Sequence, residues 1–137
     1  MRVLAISDAL CERLAAEARL AAPRECCGLI EGVITDEGWH AEALRASRNL
    51  ASDPEHGFLV DPRIQFDALR AVRGTGRIVI GCYHSHPAGP AEPSGRDRAE
   101  AIDDGFVWLI AAGNALAAYV FDARSRDFAP LILRPGA

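Results

Sequence analysis

Two of the chain's 4 histidines, His84 and His86, stand one residue apart at the end of RIVIGCYHSH, and Asp97 follows in GRDRAEA. The run from Arg77 is apolar and β-branched, which predicts a strand that leads straight into the histidines. Alternate strand residues share a face, so both imidazoles point the same way, about 7 Å apart along the backbone, and can converge on one ion. HPAGPAEP, from His86, cannot continue the strand, because its prolines and glycine make it a loop. SGRDRAEAID restarts as helix at Ser94, which sets Asp97 one turn in, able to point back at the strand end. Two neutral imidazoles and one carboxylate form a three-ligand set with a fourth tetrahedral position left for water. That is the layout of a catalytic zinc site rather than a closed structural one. One Zn2+ on His84, His86 and Asp97 would bring a water's pKa towards neutrality and polarise a carbonyl.

Such a site needs a base for the water's proton and a donor for the oxyanion that develops. Ser94 lies in the right neighbourhood to be the donor. Glu25, just before CCGLI, is the base on offer, and must arrive from a neighbouring strand. Plainer roles stand beside these. Ser94-x-x-Asp97 is close to a capping box, a role that would also fix where the carboxylate points. Glu25 alone could be a solvated carboxylate in a turn after Pro23. Cys82 shares a face with the histidines but sits two residues deeper, and reads as a buried structural thiol. His40 and His56 carry no spacing signal and read as surface or loop residues.

The elements that must position these groups follow from periodicity. Arg2 to Ile6 reads as a strand, and Ser7 caps a helix over DALCERLAAEARLAA, with Leu10, Leu14 and Ala18 on one face and Arg13 and Glu17 elsewhere. Pro23 ends it. CCGLIEGVI and Trp39 to Ala46 predict a hairpin across DEG. RNLASDPEHGFLV is polar and reads as loop. Asp61-Pro62 opens a helix that buries Ile64, Ala68, Leu69 and Val72 and stops at Gly74. Residues 106–112, 116–122 and 128–134 are three further strands, the first two joined across Gly113-Asn114. With 137 residues, 50% hydrophobic, the chain suits one α/β domain over residues 1–137, a mixed, mostly antiparallel sheet flanked by helices. No run is long enough for a membrane helix. The net charge of −4 and the lack of a basic stripe argue against nucleic acid. Charges appear too early in the N-terminus for a secretory signal, so a cytoplasmic protein is expected, with all four cysteines reduced.

His84-Ser85-His86-Pro87, then Ser94 and Asp97, resembles the signature of the JAMM (MPN+) metallopeptidases, and PRECCGLIEG resembles their upstream glutamate segment. The resemblance includes FLVDP and is nearest to the stand-alone prokaryotic members. It implies a single MPN/JAMM domain with a cytidine-deaminase-like fold. It implies zinc ligands at His84, His86 and Asp97, a general acid/base at Glu25 and an oxyanion stabiliser at Ser94. It further implies hydrolysis of the peptide or isopeptide bond after the C-terminal Gly-Gly of a ubiquitin-like or sulfur-carrier protein. Cys82 departs from the pattern, since many relatives carry a bulky aromatic there. The alternative is a non-catalytic MPN-type scaffold that binds ubiquitin-like proteins; the intact ligand set argues against it. A zinc deaminase is set aside, because its H-x-E and P-C-x-x-C signature is absent.

Overall fold

The structure, a computed structural model, describes residues 2–136. Its elements are β1 (Val3–Ile6), α1 (Asp8–Ala21), β2 (Cys27–Thr35), β3 (Gly38–Ser47) and α2 (Pro62–Val72). They continue with β4 (Ile78–Ser85), α3 (Gly95–Glu100), β5 (Val107–Ala112), β6 (Ala115–Asp122) and β7 (Asp127–Pro135). Local chemistry sets the helix starts. The Leu10 amide donates to Ser7 Oγ at the head of α1, and the Arg63 amide donates to the Asp61 carboxylate at the head of α2, where Pro62 follows. Gly74, just past α2, and Gly113, between β5 and β6, take the left-handed backbone that those turns need.

The sheet closes on itself in the order β1-β3-β2-β4-β5-β6-β7. The expected mixed, mostly antiparallel sheet with its flanking helices is found, and it goes further by closing into a barrel. β1 lies parallel to both β3 and β7, and those two ladders close the barrel. Local patterning predicts the strands but not these partners, which are far away in the chain. The other neighbours are antiparallel, apart from β4 beside β5. Gly81 permits the close approach of those two, since a Cβ there would run into the Val107 carbonyl.

Each face of β4 feeds its own apolar cluster. Tyr83 joins Leu4, Leu14, Ile30 and Leu109, with α1 packed against them. Cys82 joins Cys27, Leu29, Ala68, Trp108 and Phe121, with α2 and Phe58. The alternation puts Cys82 and His84 on the second face. Burial pushes the Cys82 thiol well above its ordinary pKa, as suits a structural thiol.

Two side chains depart from expectation. Leu69, expected to be buried, lies on the outer side of α2 and is 56% exposed. The buried stripe runs through Ala68 and Val72, and Leu69 sits about 100° around the helix from Ala68. Glu17 does not point away from the core: the Tyr83 hydroxyl donates to its carboxylate at 3.0 Å. Tyr83→Phe leaves this half-buried carboxylate without its donor, and is expected to cost about 1–3 kcal/mol, read by thermal or urea denaturation. No helix among the described residues is long and apolar enough to cross a membrane.

Candidate active site

The register of β2 against β4 explains how distant segments meet. The two strands are antiparallel, and Cys27 pairs with His84, so the start of β2 lies beside the end of β4. The pairing runs one step further: the Ser85 amide donates to the Cys26 carbonyl at 3.1 Å, and the Cys26 amide donates to Ser85 Oγ at 2.8 Å. Glu25, the next residue back, therefore arrives next to His86. On the other side of β4, the His86 amide donates to the Ala111 carbonyl of β5 at 2.8 Å.

Three polar atoms converge at this strand end. His84 Nε2 and His86 Nε2 are 3.0 Å apart, and Asp97 Oδ2 lies 3.1 Å from the first and 3.3 Å from the second. All three residues are buried. Asp97 is aimed by a capping box: its amide donates to Ser94 Oγ at 3.0 Å, and the Ser94 amide donates to Asp97 Oδ2 at 2.9 Å. The plain capping role and the convergence thus reside in one carboxylate, and α3 supplies both.

The donor set meets the demands of a zinc ion. Ligand atoms about 2.0 Å from a tetrahedral ion stand about 3.3 Å from one another, close to the spacing found here. His86 Nδ1 donates to the Pro90 carbonyl at 2.8 Å, so the neutral ring keeps its Nε2 lone pair for the centre. His84 Nδ1 is buried without a partner, its ring stacked on Phe58 at 4.2 Å with Trp108 edge-on at 5.7 Å. Two imidazole nitrogens and a carboxylate oxygen this close share too few protons to satisfy one another, and a cation among them would resolve this. A carboxylate oxygen of Glu25 lies within 4.8 Å of both histidine nitrogens and could also approach an ion. Asp97 fits the ligand position better, because Oδ2 already contacts both imidazoles, whereas Glu25 Oε1 has no hydrogen-bond partner at all.

Electrostatics separates the two carboxyls. Burial lifts Glu25 to about 7, a shift that Asp97 adds to and His86 opposes. Asp97 goes the other way: burial alone would raise it, but the two imidazoles against it and the hydrogen bond from the Ser94 amide hold it well below the usual carboxylate range. Burial draws His84 down. On His86, burial is outweighed by bonds to Asp97 and Pro90, and the net shift is upward. The result is one ionised carboxylate beside one poised near neutrality, the division of labour that acid–base chemistry uses.

A cleft of about 250 Å³ opens over these groups, lined by Glu25, His56, His86, Pro90 and Ser94 among others. The structure therefore brings together all five residues singled out from the sequence. Residues 48–60 form the loop expected of them, but sequence reasoning missed that this loop supplies Phe58 to His84. No spacing signal marks a lone phenylalanine in a polar stretch. His56 is exposed, as expected, but it sits on the rim of the cleft beside Asp53, at 3.1 Å. His40 belongs to β3 and is half-buried, not a loop residue.

The family model described as prokaryotic homologs of the JAB domain matches residues 7–128. A desampylase of Haloferax volcanii is 33% identical over 88 residues, 64% of this chain and 62% of that protein. A probable TtuB-protein conjugate cleaving protease of Thermus thermophilus is 35% identical over 99 residues, 72% of this chain and 64% of that protein. The chain thus spans a little under two thirds of the length of these curated relatives. A solution structure of a protein from Desulfitobacterium hafniense superposes with a TM-score of 0.82 at 31% identity, covering 97% of this chain and 94% of the other.

Proposed function

Because the chain belongs to the family of prokaryotic homologues of the JAB domain, we propose that it is a zinc metallopeptidase acting on ubiquitin-like or sulfur-carrier proteins. It hydrolyses the peptide or isopeptide bond after their C-terminal Gly-Gly. The observation that carries this is the convergence of His84 Nε2, His86 Nε2 and Asp97 Oδ2 beside Glu25, whose buried Oε1 has no hydrogen-bond partner. The relatives' names, a desampylase and a conjugate cleaving protease, support the substrate class. The four free thiols are consistent with work in the cytoplasm.

His84, His86 and Asp97 would hold one zinc ion. When bound, the ion would make a water in its open position more acidic and draw electron density from the scissile carbonyl. Glu25 takes the proton of the attacking water on its carboxylate and then delivers it to the leaving amine. In the metal-free site burial lifts this carboxyl to about 7, which favours its return to the protonated form that the second half of the task needs. Ser94 Oγ accepts the Asp97 amide through a lone pair, which leaves its own hydroxyl proton free to donate to the developing oxyanion. Phe58 and Trp108 keep water away from His84.

Ser94→Ala separates its two roles. Loss of the oxyanion donor is expected to lower the turnover rate about 10²–10³-fold, while loss of the cap costs about 1 kcal/mol of stability. Steady-state kinetics and thermal melts on the same sample read both. An unchanged rate with a lower melting temperature would leave Ser94 as a cap alone.

The reading is tested by incubating the zinc-loaded protein with ubiquitin-like carriers in two forms, one extended linearly beyond Gly-Gly and one joined to a lysine. Intact-mass spectrometry is expected to find a single cut after the second glycine. Which form is cut assigns peptide or isopeptide preference. If neither is cut, the substrate class proposed here is wrong.

A further inference from the structure

Resting on the peptidase reading, we propose that Asn49 is the positioning residue that holds Glu25 in place and couples it to the loop covering His84. The β2–β4 register brings Glu25 to the end of β4, but its last bonds are those between Cys26 and Ser85, and Glu25's own amide and carbonyl take no part in the ladder. Its side chain supplies no anchor either, since Oε1 is unpartnered. The direction of the carboxylate is therefore inherited from its backbone, and both sides of that backbone are tied to the loop after β3. The Glu25 amide donates to the Pro54 carbonyl at 2.7 Å. The Glu25 carbonyl accepts from Asn49 Nδ2 at 3.0 Å.

The same amide group grips the loop on either side of Phe58. Nδ2 also donates to the Gly57 carbonyl at 2.9 Å, and Oδ1 accepts from the amides of Leu59 at 3.1 Å and Ala51 at 3.0 Å. Phe58, between Gly57 and Leu59, is the ring stacked on His84. Asn49 thus uses both its donors and both acceptor sites of its oxygen, the whole capacity of a carboxamide. One side chain sets Glu25 and the ring behind His84 in a common frame. Aspartate lacks the donors, and glutamine is one methylene too long.

Asn49→Asp keeps the shape and the two accepted bonds, but turns an oxygen towards the carbonyls of Glu25 and Gly57. In the zinc-loaded full chain, acting on a conjugate that the unmodified protein cleaves, kcat is expected to fall about 10²-fold with KM and zinc content unchanged. In the Glu25→Gln background the same substitution is expected to change the rate by less than about threefold, because a residue that works through Glu25 has nothing left to lose. Hydrogen exchange should quicken in residues 22–28 and 50–60 and nowhere else. A kcat within about threefold of the unmodified protein, or a full second loss on top of Glu25→Gln, overturns the proposal. If Asn49→Asp does not fold, Asn49→Ser, which leaves room for a water at the Nδ2 position, carries the same comparison. If the unmodified protein cleaves nothing, the peptidase reading fails, and hydrogen exchange still judges Asn49: unchanged exchange around Glu25 sinks the coupling.

Discussion

Asp97→Ala protein is expected to emerge from zinc loading and desalting with almost no metal, whereas the unmodified chain retains one ion per molecule by inductively coupled plasma mass spectrometry. Among the described residues, Asp97 is the only anion in contact with both imidazoles, at 3.1 and 3.3 Å. The imidazoles and the hydrogen bond from the Ser94 amide keep it ionised throughout the working pH range. Without it, two neutral nitrogens are left, too few to close a catalytic zinc site. Alanine also removes half of the α3 capping box, at a cost of about 1 kcal/mol, so lower stability alone would be ambiguous. Asp97→Asn resolves this. Its amide oxygen can still accept the Ser94 amide, but it carries no charge. Loss of zinc with a nearly unchanged melting temperature in the metal-free state is the expected result. Full zinc retention in Asp97→Asn would reduce Asp97 to a cap.

Glu25→Gln is expected to show the opposite pair of effects, zinc retained and turnover reduced about 10²–10⁴-fold, the range for removing a positioned general base. It should also reveal what holding this carboxyl costs the fold. Burial raises Glu25 from 4.5 to about 7. Below pH 4.5 the group is protonated in both the folded and the unfolded chain. As pH rises from 4.5 to 7, the unfolded chain releases its proton before the folded one does, so stability falls, and it levels off above 7. Glutamine escapes this loss. Measured on metal-free protein, Glu25→Gln should match the unmodified chain at pH 4 and exceed it at pH 8 by on the order of 3 kcal/mol. Equal stability at both values would mean that the carboxyl is solvated, and would remove the basis for assigning it as a tuned base.

The parts of the site that could be read from the sequence are those encoded within one segment. His84 and His86 share a strand face by period-2 alternation, and Asp97 falls at the third position of a capped helix, a place that Ser94 marks in advance. Glu25 had no such mark. Its position follows from an antiparallel register between β2 and β4, which single-chain patterning does not encode, and only the family resemblance pointed to it. Phe58 and Asn49 sit in a stretch whose polarity says loop and nothing more. Their work becomes visible only when Asn49 is seen bonded to both Gly57 and Glu25. The same limit explains the sheet. Every strand was legible from its apolar run, but closure depends on β1 finding β3 and β7 at once. Leu69 was misplaced for a simpler reason, since an apolar residue near the edge of a helical stripe falls on either side of it.

The most direct test is cleavage of a ubiquitin-like conjugate by protein stripped with a chelator, assayed before and after one equivalent of zinc per chain is returned. The stripped protein should be inactive, and a single equivalent should restore activity to the unmodified chain but to neither Asp97→Ala nor Glu25→Gln. Cleavage that survives complete removal of metal would contradict the assignment of His84, His86 and Asp97 as the catalytic centre.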